Sequence, residues 1–153
     1  MVYNCHLESN HLDSENKSTY EQLLTNPKKE NIKVDETKAL VKKLRDASAK
    51  RAEQADIIAA DMRQETTPYI IVCGDFNDTP MSYVYGRLSE NLYDVFVESG
   101  NGYGYPFRPM RGMLRIDYIL RGEGIETLNY SADESATFSD HLPVMARLKL
   151  IKE

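Results

Sequence analysis

The order of elements predicts an α/β sandwich rather than a simple doubly wound parallel sheet. Three observations carry this. A long amphipathic helix runs from about Val34 to Gln64, and an apolar run, Tyr69-Ile70-Ile71-Val72-Cys73, follows it. Beyond that run, the segments with strand character outnumber those with helical character.

Taken in order, Val2 to Leu7 alternates as a short strand. From Glu8 to Ile32 the chain turns polar, with Asn10, Asp13, Ser14, Asn16, Ser18, Asn26 and Pro27 interrupting any long period. This reads as a surface excursion with a helical turn around Tyr20 to Leu24, and loops of that length are commonly functional. In the long helix, Val41, Leu44, Ser48, Ala52, Ala55, Ile58, Ala59 and Met62 recur at three- and four-residue steps as one stripe. Its small residues predict close packing on a sheet, and Pro68 marks the exit. The run to Cys73 reads as a strand covered on both faces. A short helix over Pro80 to Ser89, a strand over Tyr93 to Val97 and a Gly/Tyr/Pro-rich stretch from Gly100 to Gly112 come next. Strands over Leu114 to Leu120, Ile125 to Tyr130 and Leu142 to Ile151 complete the set.

With 153 residues the chain fits one compact domain with a substantial core. Its net charge of −5 disfavours non-specific binding of polyanions, which is driven by neutralising phosphates. A single anionic group remains manageable at a metal site, where the ion supplies the positive charge. No apolar run approaches a membrane span, and Met1 leads straight into Val2-Tyr3-Asn4-Cys5 without a signal-peptide pattern, so the chain reads as soluble as it stands. Cys5 and Cys73 each fall in a predicted strand and read as reduced core thiols.

Three clusters carry chemistry, each where a strand meets a loop. Gly74-Asp75-Phe76-Asn77 ends the apolar strand, the glycine permitting a tight turn and the next residues offering a carboxylate and an amide. Ser139-Asp140-His141 offers an oxygen ligand for a hard cation and a nitrogen donor for a phosphate oxygen. Asp117, within Arg115-Ile116-Asp117-Tyr118, sits in an otherwise apolar strand, so its carboxylate needs a partner. That partner is either Arg115 or Arg121, which would be structural, or a histidine, which the carboxylate would hold in one tautomer.

These motifs, in this order, resemble the C-terminal signatures of the endonuclease/exonuclease/phosphatase superfamily. Asn4-Cys5-His6-Leu7 resembles that family's Asn/Thr-x-His-Leu strand, and Arg51 and Gln54 sit where it carries an Arg-x-x-Gln helix. The resemblance implies the C-terminal portion of a four-layer α/β/β/α sandwich, deoxyribonuclease I-like, hydrolysing phosphate esters with Mg²⁺ or Mn²⁺. On that basis Asp75 would orient or deprotonate the attacking water. Asn77 would hold that water, a phosphate oxygen or the metal. His141 would donate to a non-bridging phosphate oxygen, with Asp117 orienting it. Asp140 would ligate metal or assist the leaving group, and His6 would give a second phosphate or leaving-group contact. The implied metal ligands are Asp75, Asn77 and Asp140.

The sequence departs from the family in one respect. The strand asparagine and the Leu-Gln-Glu glutamate of the family's N-terminal half, the latter its main metal ligand, have no counterpart here; Gln64-Glu65 ends a helix instead. Residues 1–153 therefore read as a single partial domain whose N-terminal part is missing, with an impaired metal site. Such a fragment would expose sheet surface and an unpaired edge, inviting self-association. The expected partner is a phosphate-ester substrate: nucleic acid, nucleotide, or lipid or sugar phosphate. The acidic balance favours a small phosphoester or lipid headgroup. A Tyr103-Gly104-Tyr105-Pro106-Phe107-Arg108 stretch reads as a hairpin packed on the sheet or as a substrate-facing loop that would favour a ligand with a ring. The rival to an enzyme is a non-catalytic module that keeps the fold and binds a phosphorylated ligand or another chain.

Overall fold

The computed structural model describes residues 1–25, 34–101 and 114–151. Strand β1 (Val2–His6) leads through helices α1 (Ser14–Thr25) and α2 (Val34–Met62) into β2 (Ile71–Asp75). Helix α3 (Tyr83–Leu88), strand β3 (Tyr93–Asp94) and helix α4 (Val95–Ser99) follow. Strands β4 (Asp117–Arg121), β5 (Ile125–Ala132) and β6 (Val144–Leu150) close the series. Four strands form a sheet in the order β1-β2-β4-β3, while β5 and β6 pair separately as an antiparallel sheet. Strands β1 and β2 are parallel, so the chain must cross over between them, and the two helices make that crossover.

Alternation along the strands divides the sheet into two faces. Cys5, Leu7, Val72, Phe76, Tyr118 and Leu120 point to one side and join Ala55 of α2 with Val84 and Leu88 of α3 in the core. Ile58 and Met62 of the same helix pack against that cluster. His6, Asp75 and Asp117 point to the other side. The 29 residues of α2 span roughly 44 Å at 1.5 Å per residue, far beyond the reach of a five-residue strand. Its N-terminal half therefore overhangs the ends of β1 and β2, where the site lies.

Several expectations from sequence need correction. The buried face of α2 runs through Leu40, Ala47, Arg51, Ala55 and Ala59, whereas Val41 and Ser48 are exposed. The apolar stripe holds in the C-terminal half, where Ala55 and Ala59 are buried and Ile58 and Met62 pack on the core, and departs in the N-terminal half, where the paired Arg51 is inside. The polar excursion holds a 12-residue helix, with the Asp13 carboxylate accepting from the Asn16 N–H at 2.8 Å. Asp13, read as a helix breaker, is a cap. The strand expected over Tyr93 to Val97 stops after two residues, because Asp94 accepts from the Phe96 and Val97 N–H groups and starts α4. Leu114 to Ile116 precede β4 rather than belonging to it. Both cysteines are free thiols, Cys5 buried and Cys73 only partly so. The Tyr103–Arg108 stretch lies outside the described residues.

Candidate active site

Sheet register brings the candidate residues together. His6 of β1 pairs with Asp75 of β2, and Asp75 pairs with Asp117 of β4, so three adjacent strands contribute one row on one face. The row directly behind it is Cys5, Gly74 and Tyr118. Gly74 has φ +128, and a Cβ there would lie 1.9 Å from the Cys5 carbonyl oxygen, so only glycine allows β1 and β2 this close approach. The next turn is set by Asp75 and Asn77. Asp75 Oδ1 accepts the Asn77 N–H at 2.7 Å, and Asn77 takes a left-handed φ of 51, which asparagine tolerates. Asn77 Nδ2 donates to the Leu7 carbonyl at 3.0 Å and ties the loop after β2 to the end of β1.

His141 completes the cluster from the loop before β6. Its backbone N–H donates to Ser139 Oγ at 3.1 Å, and its Nδ1 lies 2.8 Å from Asp117 Oδ2. Asp117 thus takes the histidine among the three partners its sequence left open, and the nearby arginines are engaged elsewhere. Arg115 is buried against Asp94 at 2.7 Å, and Arg121 pairs with Glu98. With Nδ1 engaged, His141 turns Nε2 toward Asp75 Oδ2 at 3.9 Å, while His6 Nε2 lies 3.8 Å from the same oxygen. Both separations exceed a hydrogen bond, so one carboxylate oxygen faces two imidazoles across a gap.

The electrostatics follow from this arrangement. The hydrogen bond that His141 donates to Asp117 lifts the His141 pKa above the ordinary imidazole value, partial burial opposing it. Burial raises the Asp75 pKa; the Asn77 N–H works against that rise and the Asp117 charge adds to it. A carboxyl whose pKa is raised by burial, beside an imidazole made more basic by its carboxylate partner, is suited to proton transfer. Asp75, Asp117 and His141 each offer a ligand atom, all within 4.8 Å of one another. Asp140 is exposed and lines the same cavity of about 770 Å³ as His6, Asp75, Asn77, Asp117 and His141. All six candidates therefore share one cavity. Among the described residues no glutamate lines it.

Sequence reading underrated one contributor. Arg51, buried on α2, donates to Asp78 Oδ2 at 3.1 Å, to the Glu8 carbonyl at 3.0 Å and to Asn10 Oδ1 at 2.8 Å. Gln54, one turn on, accepts the Glu8 N–H at 2.9 Å. One helix face thus clamps the loops that follow His6 and Asn77. The Arg-x-x-Gln spacing was the available signal.

The endonuclease/exonuclease/phosphatase family profile matches residues 8–141. The chain belongs to that family. An endonuclease/exonuclease/phosphatase from Bacteroides vulgatus has a similar fold, with a TM-score of 0.57 and 24% identity over 67% of this chain and 45% of its own. A mannosyl-6-phosphatase of Bacteroides thetaiotaomicron matches with a TM-score of 0.52 and 22% identity over 67% of this chain and 46% of its own. A functionally unknown conserved protein of Enterococcus faecalis matches with a TM-score of 0.53 and 17% identity, over 67% and 45% respectively. This endonuclease/exonuclease/phosphatase family chain spans less than half the length of those structures. No curated protein matches it.

Proposed function

We propose that the chain carries the proton-transfer and phosphate-contact groups of a divalent-metal-dependent phosphoesterase that hydrolyses phosphate esters by in-line attack of water. The observation that carries this reading is the His6–Asp75–Asp117 row joined to His141 through the 2.8 Å contact with Asp117. Family membership supports the reaction class, and the mannosyl-6-phosphatase of like fold is compatible with a phosphomonoester.

In this reading Asp75 orients the attacking water and takes its proton, for which a raised carboxyl pKa is well placed. Asn77, its nitrogen on the Leu7 carbonyl, offers its oxygen to that water or to a cation, and its second N–H to a phosphate oxygen. His141 donates from Nε2 to a non-bridging oxygen as charge builds there, while Asp117 fixes the ring and sustains the imidazolium. His6, largely exposed at the other side of Asp75, contacts a second phosphate oxygen or the leaving group. Asp140 assists the leaving group or ligates metal.

The donor set fits a hard divalent cation in part, since carboxylate and amide oxygens are the ligands such ions take. Asp75, Asn77 and Asp140 would hold it, because Asp117 and His141 are engaged with each other. Mg²⁺ or Mn²⁺ supplies neutralisation of phosphate charge and a more acidic water. With no glutamate among the described lining residues, the site has an incomplete ligand set. We read the chain as the C-terminal part of a family domain, with weak metal affinity and weak activity on its own. The lack of a glutamate among the described lining residues also favours the rival, a non-catalytic module binding a phosphorylated ligand.

Hydrolysis of bis-p-nitrophenyl phosphate and p-nitrophenyl phosphate separates them. Turnover with Mg²⁺ or Mn²⁺ that EDTA removes and His141→Ala abolishes is the expected result. Phosphate-ester binding that survives chelation, with no turnover above the variant, would instead establish the binding module.

A further inference from the structure

The cavity is larger than the catalytic cluster requires. At about 770 Å³ it falls within the range of small-molecule sites, roughly 300–1,000 Å³. Beyond the cluster it runs between two walls, Leu12, Lys17 and Tyr20 on the segment joining β1 to α2, and Leu44 and Ser48 on α2. The first wall is anchored at two points. Asn10 is held by Arg51 at 2.8 Å, and Asp13, the cap of α1, receives Lys43 Nζ at 3.0 Å.

From this arrangement we infer that the compartment takes the alcohol portion of a phosphomonoester, that this alcohol is a compact hydroxylated ring of sugar size, and that Lys17 and Tyr20 set the preference. The inference rests on the phosphoesterase reading of the cluster and adds the substrate class. The Tyr20 ring and the two leucines offer apolar surface to the C–H face of such a ring. Ser48 and Lys17 offer donors to its hydroxyls. A nucleic-acid strand asks for something different, a groove in which basic residues follow the backbone. Among the described lining residues the fixed cations are Lys17 and Arg51, and Arg51 is engaged with Asp78 and the Glu8 carbonyl. Asp75, Asp78, Asp117 and Asp140 outnumber them. One phosphate is manageable at the cluster, and the described lining residues form no row of cations for a chain of phosphates.

The test is binding, followed by ¹H–¹⁵N NMR in Mg²⁺ buffer. The probes are the non-hydrolysable methylenephosphonate analogue of glucose 6-phosphate, inorganic phosphate, glucose and a twelve-residue oligothymidylate. The phosphonate sugar is expected to bind at least tenfold more tightly than phosphate or glucose and to shift Lys17, Tyr20 and Ser48 signals. Lys17→Ala, a surface change, and Tyr20→Ala should each bring the sugar-to-phosphate affinity ratio several-fold closer to one. An unchanged ratio in Lys17→Ala, equal affinity for phosphate and the sugar phosphonate, or tighter binding of the oligonucleotide would overturn the substrate class while leaving a phosphoesterase intact. Phosphate and phosphonate that both fail to move His141 would remove the phosphoesterase reading and this inference with it.

Discussion

A single carboxylate, Asp117, shows how a residue acquires meaning from its partner. Its backbone register places it beside Asp75, and its side chain reaches His141 at 2.8 Å. Because the folded imidazole has a pKa above its ordinary value of 6.5, its contribution to stability is fully present below that value. The contribution disappears as pH rises through the higher folded value. Replacing Asp117 with Asn should lower the His141 titration midpoint, read by NMR in chelator so that no cation competes. The same change should reduce metal-dependent turnover by roughly 10–100-fold, the usual effect of losing such a supporting carboxylate. A midpoint that stays in place would mean that Asp117 does not tune the ring. Sequence alone identified this aspartate as needing a partner, but three candidates remained, since which side chain approaches a strand depends on packing.

At the scale of elements, α2 joins the core to the site. Ala55 joins the core under the sheet, and Arg51, one turn earlier, reaches the loops after β1 and β2. With its side chain 5% exposed and that of Asp78 18% exposed, this is an ion pair largely withdrawn from water. Arg51→Met should destabilise the fold by about 3 kcal/mol in urea unfolding, because Asp78 and the Glu8 carbonyl lose their donor inside the protein. Arg51→Lys should recover little, since one ammonium cannot serve three acceptors arranged for a planar fork. Full stability in the methionine variant would show the clamp to be dispensable. The length of α2 was legible from its period. Its buried face was legible from Ala55 to Met62 but not before, because apolar pattern carries no information about a paired charge such as Arg51.

For the whole molecule, the exposed surfaces matter most. Strand β1 lies at an edge of the four-stranded sheet, with Val2 62% exposed, and the separate β5–β6 sheet exposes Leu128, Met145 and Leu150. Open edges and apolar sheet faces favour pairing with another chain. We expect self-association, seen in sedimentation equilibrium as an apparent mass that rises with protein concentration above the 17.5 kDa of one chain. A constant mass of one chain across the concentration range would exclude it.

Local sequence determined the strand–helix–strand opening, the glycine turn into Asp75 and Asn77, and the residue types of the site. Each depends on side chains a few positions apart: periodicity, a backbone needing φ above zero, a carboxylate beside an amide. Local turn chemistry also holds the Asp13 cap and the Asp94 cap, although their surroundings have the pattern of a polar loop and of a strand. Only the tertiary structure decided that His6, Asp75 and Asp117 form one row, that His141 rather than an arginine completes it, and that α1 walls the cavity. Those outcomes join residues up to 135 positions apart, as His6 and His141 are, and depend on strand register and on which polar groups find partners when buried.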